Sequence, residues 1–277
     1  MSKIILCTSK KAAHPFIFLN TKVEINTYEE LCFYIYNNTV LISKSSLSDK
    51  LFDWIRDEID MPELAAKLVT LSNKTSFAQD LLVEILNAGN YYEPEEITNY
   101  VEAWQKYRKL TVNQRKKLKA DGYLGYKRYI KAASIYDDIL DDEKDISDKN
   151  FLGNVYHNRA VAAANNFDTE DAKQYFLKAY TLNRNEESLK GYLIVFASAN
   201  DSTSIRQEMR KFDLDDDNFE NLMLEIGDSN EDVREMTIYS MLQRAIYNRM
   251  NKDMIDYDKR MDIILGKLKD EFREQAI

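Results

Sequence analysis

The side chains that most often carry out catalysis or bind metal ions are scarce in this sequence. It contains two histidines, His14 and His157, and two cysteines, Cys7 and Cys32. It has no glycine-rich phosphate loop and no Cys-x-x-Cys or His-Glu-x-x-His motif. Its sequence places no serine or cysteine beside His157 to be activated as a nucleophile. We therefore expect a protein that is not an enzyme and that carries no cofactor and no metal ion.

One acidic segment has the spacing of metal-ligating residues. Asp213, Asp215 and Asp217 alternate as at the start of a calcium-binding loop. The sixth position of such a loop needs glycine and holds Asn218, and the twelfth needs a bidentate glutamate and holds Leu224. The segment is better interpreted as an acidic loop that caps the next helix.

Positive charge is concentrated at 106–131, where ten basic residues accompany one acidic residue, Asp121, in a chain of net charge −9. Such a cluster can bind an acidic peptide or protein, and interleaved tyrosines also give it the composition of some nucleic-acid surfaces. The simpler alternative is a solvated helix face balanced by the acidic residues at 137–143. Nucleic acid is the partner that we expect least. The residues selected for contact with an acidic partner are Lys116, Lys119, Lys127 and Arg128.

The composition points to a mostly helical fold. Only 7 glycines and 3 prolines occur in 277 residues, and tight turns between strands depend on these two residue types. An all-β sandwich or barrel is thereby nearly excluded. No apolar stretch approaches the roughly 18 residues of a membrane helix, and none resembles the core of a signal peptide. We expect a cytoplasmic protein.

Residues 1–105 form the first predicted domain, and its start holds the only runs typical of strands. Short β-branched and aromatic runs at 3–8, 16–19 and 22–25 predict a small β-ribbon. Thr27-x-x-Glu30 has the pattern of a capping box, which predicts that a largely buried helix follows. From 47 to 107, apolar residues recur at helical spacing and predict four short helices that pack on the ribbon.

Two consecutive segments, at 156–164 and 168–183, have the pattern of paired helices. Ala160 on the first and Ala172 and Ala179 on the second are small, and Phe176 lies between the last two. Alternation of small and large residues lets antiparallel helices approach closely while a ring fills the space beside them. This spacing resembles a tetratricopeptide (TPR) repeat, a helical hairpin of about 34 residues.

Related pairs flank this unit, so the predicted repeats span 106–213. Upstream, a helix at 112–124 would precede one at 129–140, in which Ala132 corresponds to Ala172. Downstream, apolar residues between Leu189 and Phe212 indicate a degenerate third unit. A generic array of helical hairpins is the alternative. The opening segment contains Cys7, Pro15-Phe16-Ile17-Phe18 and the aromatic run from Thr27 to Tyr36. It resembles a segment found ahead of TPR repeats in uncharacterised bacterial proteins, a resemblance that implies no function.

The third predicted domain, 214–277, contains no proline. Met236, Tyr239, Leu242, Ile246 and Met250 step by three and four, and the same spacing continues to residue 268. This spacing predicts either one long helix with a coiled-coil seam or a hairpin broken near 248–253. The segment would cap the repeats, and the alternative is a homodimer formed through these helices.

The resemblance to TPR repeats implies a non-enzymatic interaction module or scaffold. In such a repeat, the first helices line a groove that holds a peptide or helix of a partner. The positions that correspond to groove-lining residues are Tyr156, Asn158, Arg159 and Ala163. An alternative is a signal-responsive regulator, in which the repeats sense a peptide and the N-terminal region acts on a target.

Overall fold

The computed structural model describes residues 10–75 and 77–276. In that part of the chain, two strands and fourteen α-helices follow one another, so the expected mostly helical fold with a small N-terminal β-ribbon is confirmed. The strands are β1 (Phe16–Phe18) and β2 (Val23–Ile25). The helices are α1 (Tyr28–Asn37), α2 (Asp49–Asp57), α3 (Pro62–Ser72), α4 (Ala78–Ala88), α5 (Pro94–Lys109), α6 (Val112–Gly125), α7 (Tyr129–Leu140), α8 (Lys149–Asn165), α9 (Thr169–Asn183), α10 (Glu186–Ala197), α11 (Ser202–Arg210), α12 (Asp216–Glu235), α13 (Thr237–Met250) and α14 (Met254–Ala276). The predicted strand at 3–8 lies outside the described residues.

The chain divides into two compact units, Met1–Tyr126 and Lys127–Ile277. In the first unit, β1 and β2 pair antiparallel, and α1 packs against the ribbon. The ring of Phe18 stacks on that of Tyr34 with centroids 4.1 Å apart, and the hydroxyls of Thr21 and Tyr34 lie 2.7 Å apart. A two-stranded ribbon is marginal by itself, and α1 supplies the apolar cover that it needs.

The start of α1 differs in one detail from the predicted capping box. The hydroxyl of Thr27 accepts a hydrogen bond from the amide of Glu30 at 3.2 Å, as expected. The carboxylate of Glu30 accepts instead from the amide of Asn26, at 2.6 Å. Leu31 and Ile35 are fully buried, whereas Phe33 is exposed. Helices α2 to α5 then supply the four helices predicted between 47 and 107, and α1 to α4 contribute most of the core of this unit.

The second unit is a succession of helices in which each packs on the next. The α8–α9 hairpin is its centre, and Ala160, Ala172 and Phe176 lie in one apolar core, as their spacing predicts. Neither alanine exposes any surface, so the two helices approach closely. Helix α10 contacts α8 as well as α9, and the core continues through Leu189 and Met209 to Phe219 at the start of α12.

The C-terminal segment forms a helical hairpin rather than one long helix. The turn between α13 and α14 contains Lys252, whose φ of 62° is left-handed. Of the residues in the predicted seam, Tyr239 and Leu242 are half-buried, whereas Met236, Ile246 and Met250 are exposed. The buried side of α13 contains Ala245 instead, and its small side chain allows α14 to approach. Helix α14 also contacts α7, so the last helix of this unit returns to its first.

Candidate functional site

The four basic residues selected from the sequence are divided between the two units. Lys116 and Lys119 lie on α6 in the first unit, and Lys127 and Arg128 precede α7 in the second. Lys119 and Lys127 are exposed and Lys116 is half-buried. Arg128 exposes only 4% of its surface, so a partner would reach little of it. Acidic-partner binding by this set stays a prediction.

Tyr156, selected as a groove residue, takes part in a compact polar cluster. Its hydroxyl donates to Oε2 of Glu143 at 2.6 Å, and Nζ of Lys178 lies 2.5 Å from the same hydroxyl and 2.8 Å from the carboxylate. Hydrogen bonds from Lys178 and from Tyr156 hold the pKa of Glu143 below its usual value. These contacts join Glu143, in the connector after α7, to Tyr156 on α8 and Lys178 on α9.

Arg159, the second selected groove residue, joins three helices. Its Nε donates to Oδ1 of Asp137 on α7 at 2.7 Å, and its guanidinium carbon lies 4.9 Å from the ring centroid of Tyr175 on α9. Asn158 is half-buried on the same helix, and Ala163 exposes 1% of its surface. Arg159 and Ala163 also line a small cavity of about 370 Å³ between α7 and α8.

The histidines and the buried cysteine are held in contacts within the fold. Nδ1 of His157 lies 2.9 Å from Oγ of Ser188, a pairing that joins α8 to α10. This Ser–His pair was missed in the sequence because its residues are 31 positions apart, which is close to one repeat length. Ser188 exposes no surface, so a substrate could not reach its hydroxyl. His14 is exposed beside Glu58, and burial raises the pKa of the Cys32 thiol to about 12.

A concave site of the second unit was not predicted from the sequence. It is a groove of about 530 Å³ between α10 and α12, which we name the α10–α12 groove. Its floor is apolar and comes mainly from α10, α11 and the turn before α12. The floor residues are Leu189, Leu193, Met209, Phe212, Leu214 and Leu222. The polar rim residues are Glu186, Glu187, Lys190, Asn218, Asn221 and Glu225.

Local backbone structure fixes both the floor and the rim of the α10–α12 groove. After α11 the chain turns through Asp213, whose φ is 58°, and the amide of Leu214 donates to the carbonyl of Met209 at 3.2 Å. This turn holds Phe212 and Leu214 between the helices. Asn185 caps α10 by accepting a hydrogen bond from the amide of Glu187 at 3.0 Å.

The rim of the groove is crossed by one ion pair. Nζ of Lys190 on α10 lies 2.7 Å from Oε1 of Glu225 on α12, and both side chains are about half exposed. A hydrogen bond to Glu225 raises the pKa of Lys190 above its usual value. Glu186 and Glu187 stand on the same rim, so three carboxylates face one ammonium group.

One cavity of the first unit, of about 420 Å³, is lined mostly by aromatic and aliphatic residues. Tyr36, Tyr100, Trp104 and Tyr107 contribute to it, with Lys106 among the polar lining residues. Burial raises the pKa of Tyr100 to about 12. The cavity is smaller and less polar than the α10–α12 groove.

The acidic segment at 213–217 caps a helix in the structure. Oδ1 of Asp215 accepts from the amide of Asn218 at 3.0 Å, and Oδ1 of Asn218 accepts from the amide of Asp215 at 3.1 Å. Among the described residues, no group of three or more His, Cys, Asp and Glu side chains is placed to hold a metal ion. Within those same residues, no helix combines the length and the apolarity that crossing a membrane requires.

The chain matches no protein-family model, no curated protein and no solved structure.

Proposed function

We propose that this chain is a non-enzymatic interaction protein whose second unit holds a peptide or helix of a partner protein in a groove of TPR-like helical hairpins. The observation that carries the proposal is the α10–α12 groove, with its apolar floor and charged rim. Apolar grooves with a few polar groups at their edges are the usual receptors for amphipathic segments.

The arrangement of helices supports a repeat-like array. Helix α10 contacts both helices of the preceding hairpin. Helix α11 in turn contacts α10 and α12. The first helices of successive hairpins, α8 and α10, therefore lie beside one another, as they do in TPR arrays. The packing of Ala160, Ala172 and Phe176 in one core supports the same interpretation.

A photo-crosslinking amino acid in the groove tests this proposal. Asn221 is exposed and lines the groove, and Gln207 is exposed on α11 and does not line it. We expect the crosslinker at Asn221, in the cells that produce the protein, to form an adduct with another polypeptide, and the same group at Gln207 to form none. Equal labelling from both positions, or no adduct from Asn221, would contradict the proposal.

A homodimer through the C-terminal helices remains part of the proposal. Its support is the unused apolar side of the α13–α14 hairpin, where Ile246, Met250 and Ile255 expose 42%, 78% and 84% of their surfaces. Contiguous exposed apolar residues often mark protein contacts. A second copy would bury this stripe by forming a four-helix arrangement.

A further inference from the structure

We propose that the α10–α12 groove selects a cationic segment of its partner, in which an arginine replaces Lys190 on the carboxylate of Glu225 while a neighbouring apolar side chain enters the floor. This inference rests on the proposed function, because it names the chemistry of the segment that the groove would hold. It assigns to this site a charge preference opposite to the one predicted for the basic residues at 116–128.

The floor can accept an apolar side chain. Phe212 and Leu214 are half-buried, so part of their carbon surface is open to the groove. The ring of Phe212 is held in place between Tyr180 and Tyr192, at centroid distances of 6.0 and 5.9 Å. A volume of about 530 Å³ lies within the range of roughly 300–1,000 Å³ found for sites that hold drug-sized molecules. The groove therefore fits a few side chains of a peptide.

Among the residues that line the groove, the carboxylates of Glu186, Glu187 and Glu225 outnumber the one ammonium group, that of Lys190. Glu186 and Glu187 are in the first turn of α10, and no ion pair to either carboxylate occurs in the part of the chain that the structure describes. The N-terminal end of a helix carries the equivalent of about half a positive charge. This offsets only a fraction of two carboxylates. Lys190 pairs with Glu225 and also interacts with Glu187, so one positive charge is shared among the carboxylates of the rim. A cationic segment would meet a net attraction, and an acidic one a net repulsion.

Lys190 occupies the position that a cation of the partner would take. Its ammonium group reaches from α10 across the groove to Glu225 on α12. Because both side chains are about half exposed, the pair contributes little to stability and can be exchanged at little cost. The guanidinium of an arginine can donate two parallel hydrogen bonds to one carboxylate, whereas an ammonium acts as a point charge. A partner's arginine should therefore replace Lys190 on Glu225 more readily than a partner's lysine would.

Selection from a random peptide library displayed on phage tests the inference, with the full-length chain immobilised. We expect the selected peptides to be enriched in arginine next to a large apolar residue. Synthetic copies of these peptides are then titrated by fluorescence anisotropy. Their affinity should fall when the NaCl concentration rises from about 50 to about 500 mM, because added salt shortens the Debye length.

Matched variants identify the site at which the peptides bind. Glu225→Gln should weaken binding about tenfold, as expected for the loss of one charge-assisted hydrogen bond. Lys190→Met should tighten binding roughly threefold, because it removes the competing exposed cation. Glu220→Gln is the control, because Glu220 lies on the same helix, pairs with Arg206 at 2.9 Å and does not line the groove. Thermal denaturation followed by circular dichroism verifies that each variant is folded.

The outcomes separate this inference from the proposed function. Enrichment of acidic peptides whose binding is weakened by a Leu214→Gln substitution would overturn the charge preference and leave peptide binding in the groove intact. Arginine-rich peptides that respond equally to Glu220→Gln and Glu225→Gln would be held only by the negative charge of the whole protein, which would also overturn it. Failure to select any peptide would overturn both proposals.

Discussion

Arg159 on α8 donates a hydrogen bond from Nε to Oδ1 of Asp137 on α7 over 2.7 Å, and only 13% of the arginine side chain is exposed. Its guanidinium also lies over the ring of Tyr175. A residue that the sequence analysis selected as a groove contact thus joins three consecutive helices of this unit. Arg159 therefore has a structural role that a binding experiment must separate from partner contact.

Replacing Arg159 with Met should lower the free energy of unfolding by about 1–2 kcal/mol, because one charge-assisted hydrogen bond and one cation–π contact are lost. Asp137→Asn should lower the free energy of unfolding by less, because the Asp137 side chain is nearly half exposed and an asparagine keeps one acceptor oxygen. Urea denaturation of both single variants and the double variant gives the coupling energy. A coupling near zero would show that this ion pair contributes nothing to stability.

The stability of the fold should depend on Glu143 in acid. Hydrogen bonds from Lys178 and Tyr156 hold the pKa of Glu143 below its reference value of 4.5. The resulting stabilisation is present above pH 4.5 and is lost as the pH falls through the lowered pKa. Glu143→Gln should remove this dependence, so that the unfolding free energies of the two proteins converge as the pH falls below about 4.5. Parallel pH profiles of the two proteins would contradict this assignment.

Gly89 should be intolerant of even one added carbon. A Cβ atom at this position would overlap the ring of Tyr28, whose hydroxyl donates to the carbonyl of Ile85. We expect Gly89→Ala to destabilise the protein by about 1–3 kcal/mol, the usual cost of overpacking. Gly125 is the matched control, since a Cβ there meets no atom within 4 Å. If both alanine variants melt at the same temperature, Tyr28 does not pack on Gly89 as the structure has it.

Arg128 should be replaceable by an apolar residue with a gain in stability. It exposes 4% of its surface, and its Nε and Nη2 have no hydrogen-bond partner among the described residues. Each buried donor without a partner costs about 1–3 kcal/mol, so Arg128→Met should raise the midpoint of thermal unfolding by several degrees. A lower midpoint would indicate that Arg128 is paired in solution.

Self-association through the exposed side of the α13–α14 hairpin should respond to polar substitutions. If the homodimer forms, Ile246→Gln combined with Met250→Gln should shift the chain toward monomer in sedimentation velocity. Leu224→Gln is the control, because Leu224 lies on α12 and exposes 66% of its surface. This substitution should leave the sedimentation of the protein unchanged. A wild-type protein that is monomeric at all concentrations would rule out this contact.

The parts of the fold that the sequence predicts correctly depend on local spacing. Ala160, Ala172 and Phe176 could be placed in one core because small and large residues alternate at helical intervals. The rotation of α13 could not be predicted, because both faces of that helix carry apolar residues. The side that contains Ala245 is buried, and this depends on how closely α14 approaches, which no periodicity encodes.

The α10–α12 groove could not be predicted from the sequence for a different reason. Lys190 and Glu225 belong to different helices, and their 2.7 Å separation depends on the turn through Asp213 between α11 and α12. That turn has a left-handed residue, but it contains no glycine to signal it. Residues selected by their correspondence to a repeat, such as Tyr156 and Arg159, lie in α8, one hairpin earlier than the groove.

The contact between α14 and α7 has a consequence for how the second unit loses its structure. In an open-ended solenoid, terminal repeats fray first and the loss of order spreads inward, so cooperativity weakens with length. Here the terminal helices of the unit support one another, and neither can detach without uncovering the other. The unit should therefore melt in a single step, and it could not be elongated by inserting further hairpins without breaking this closure.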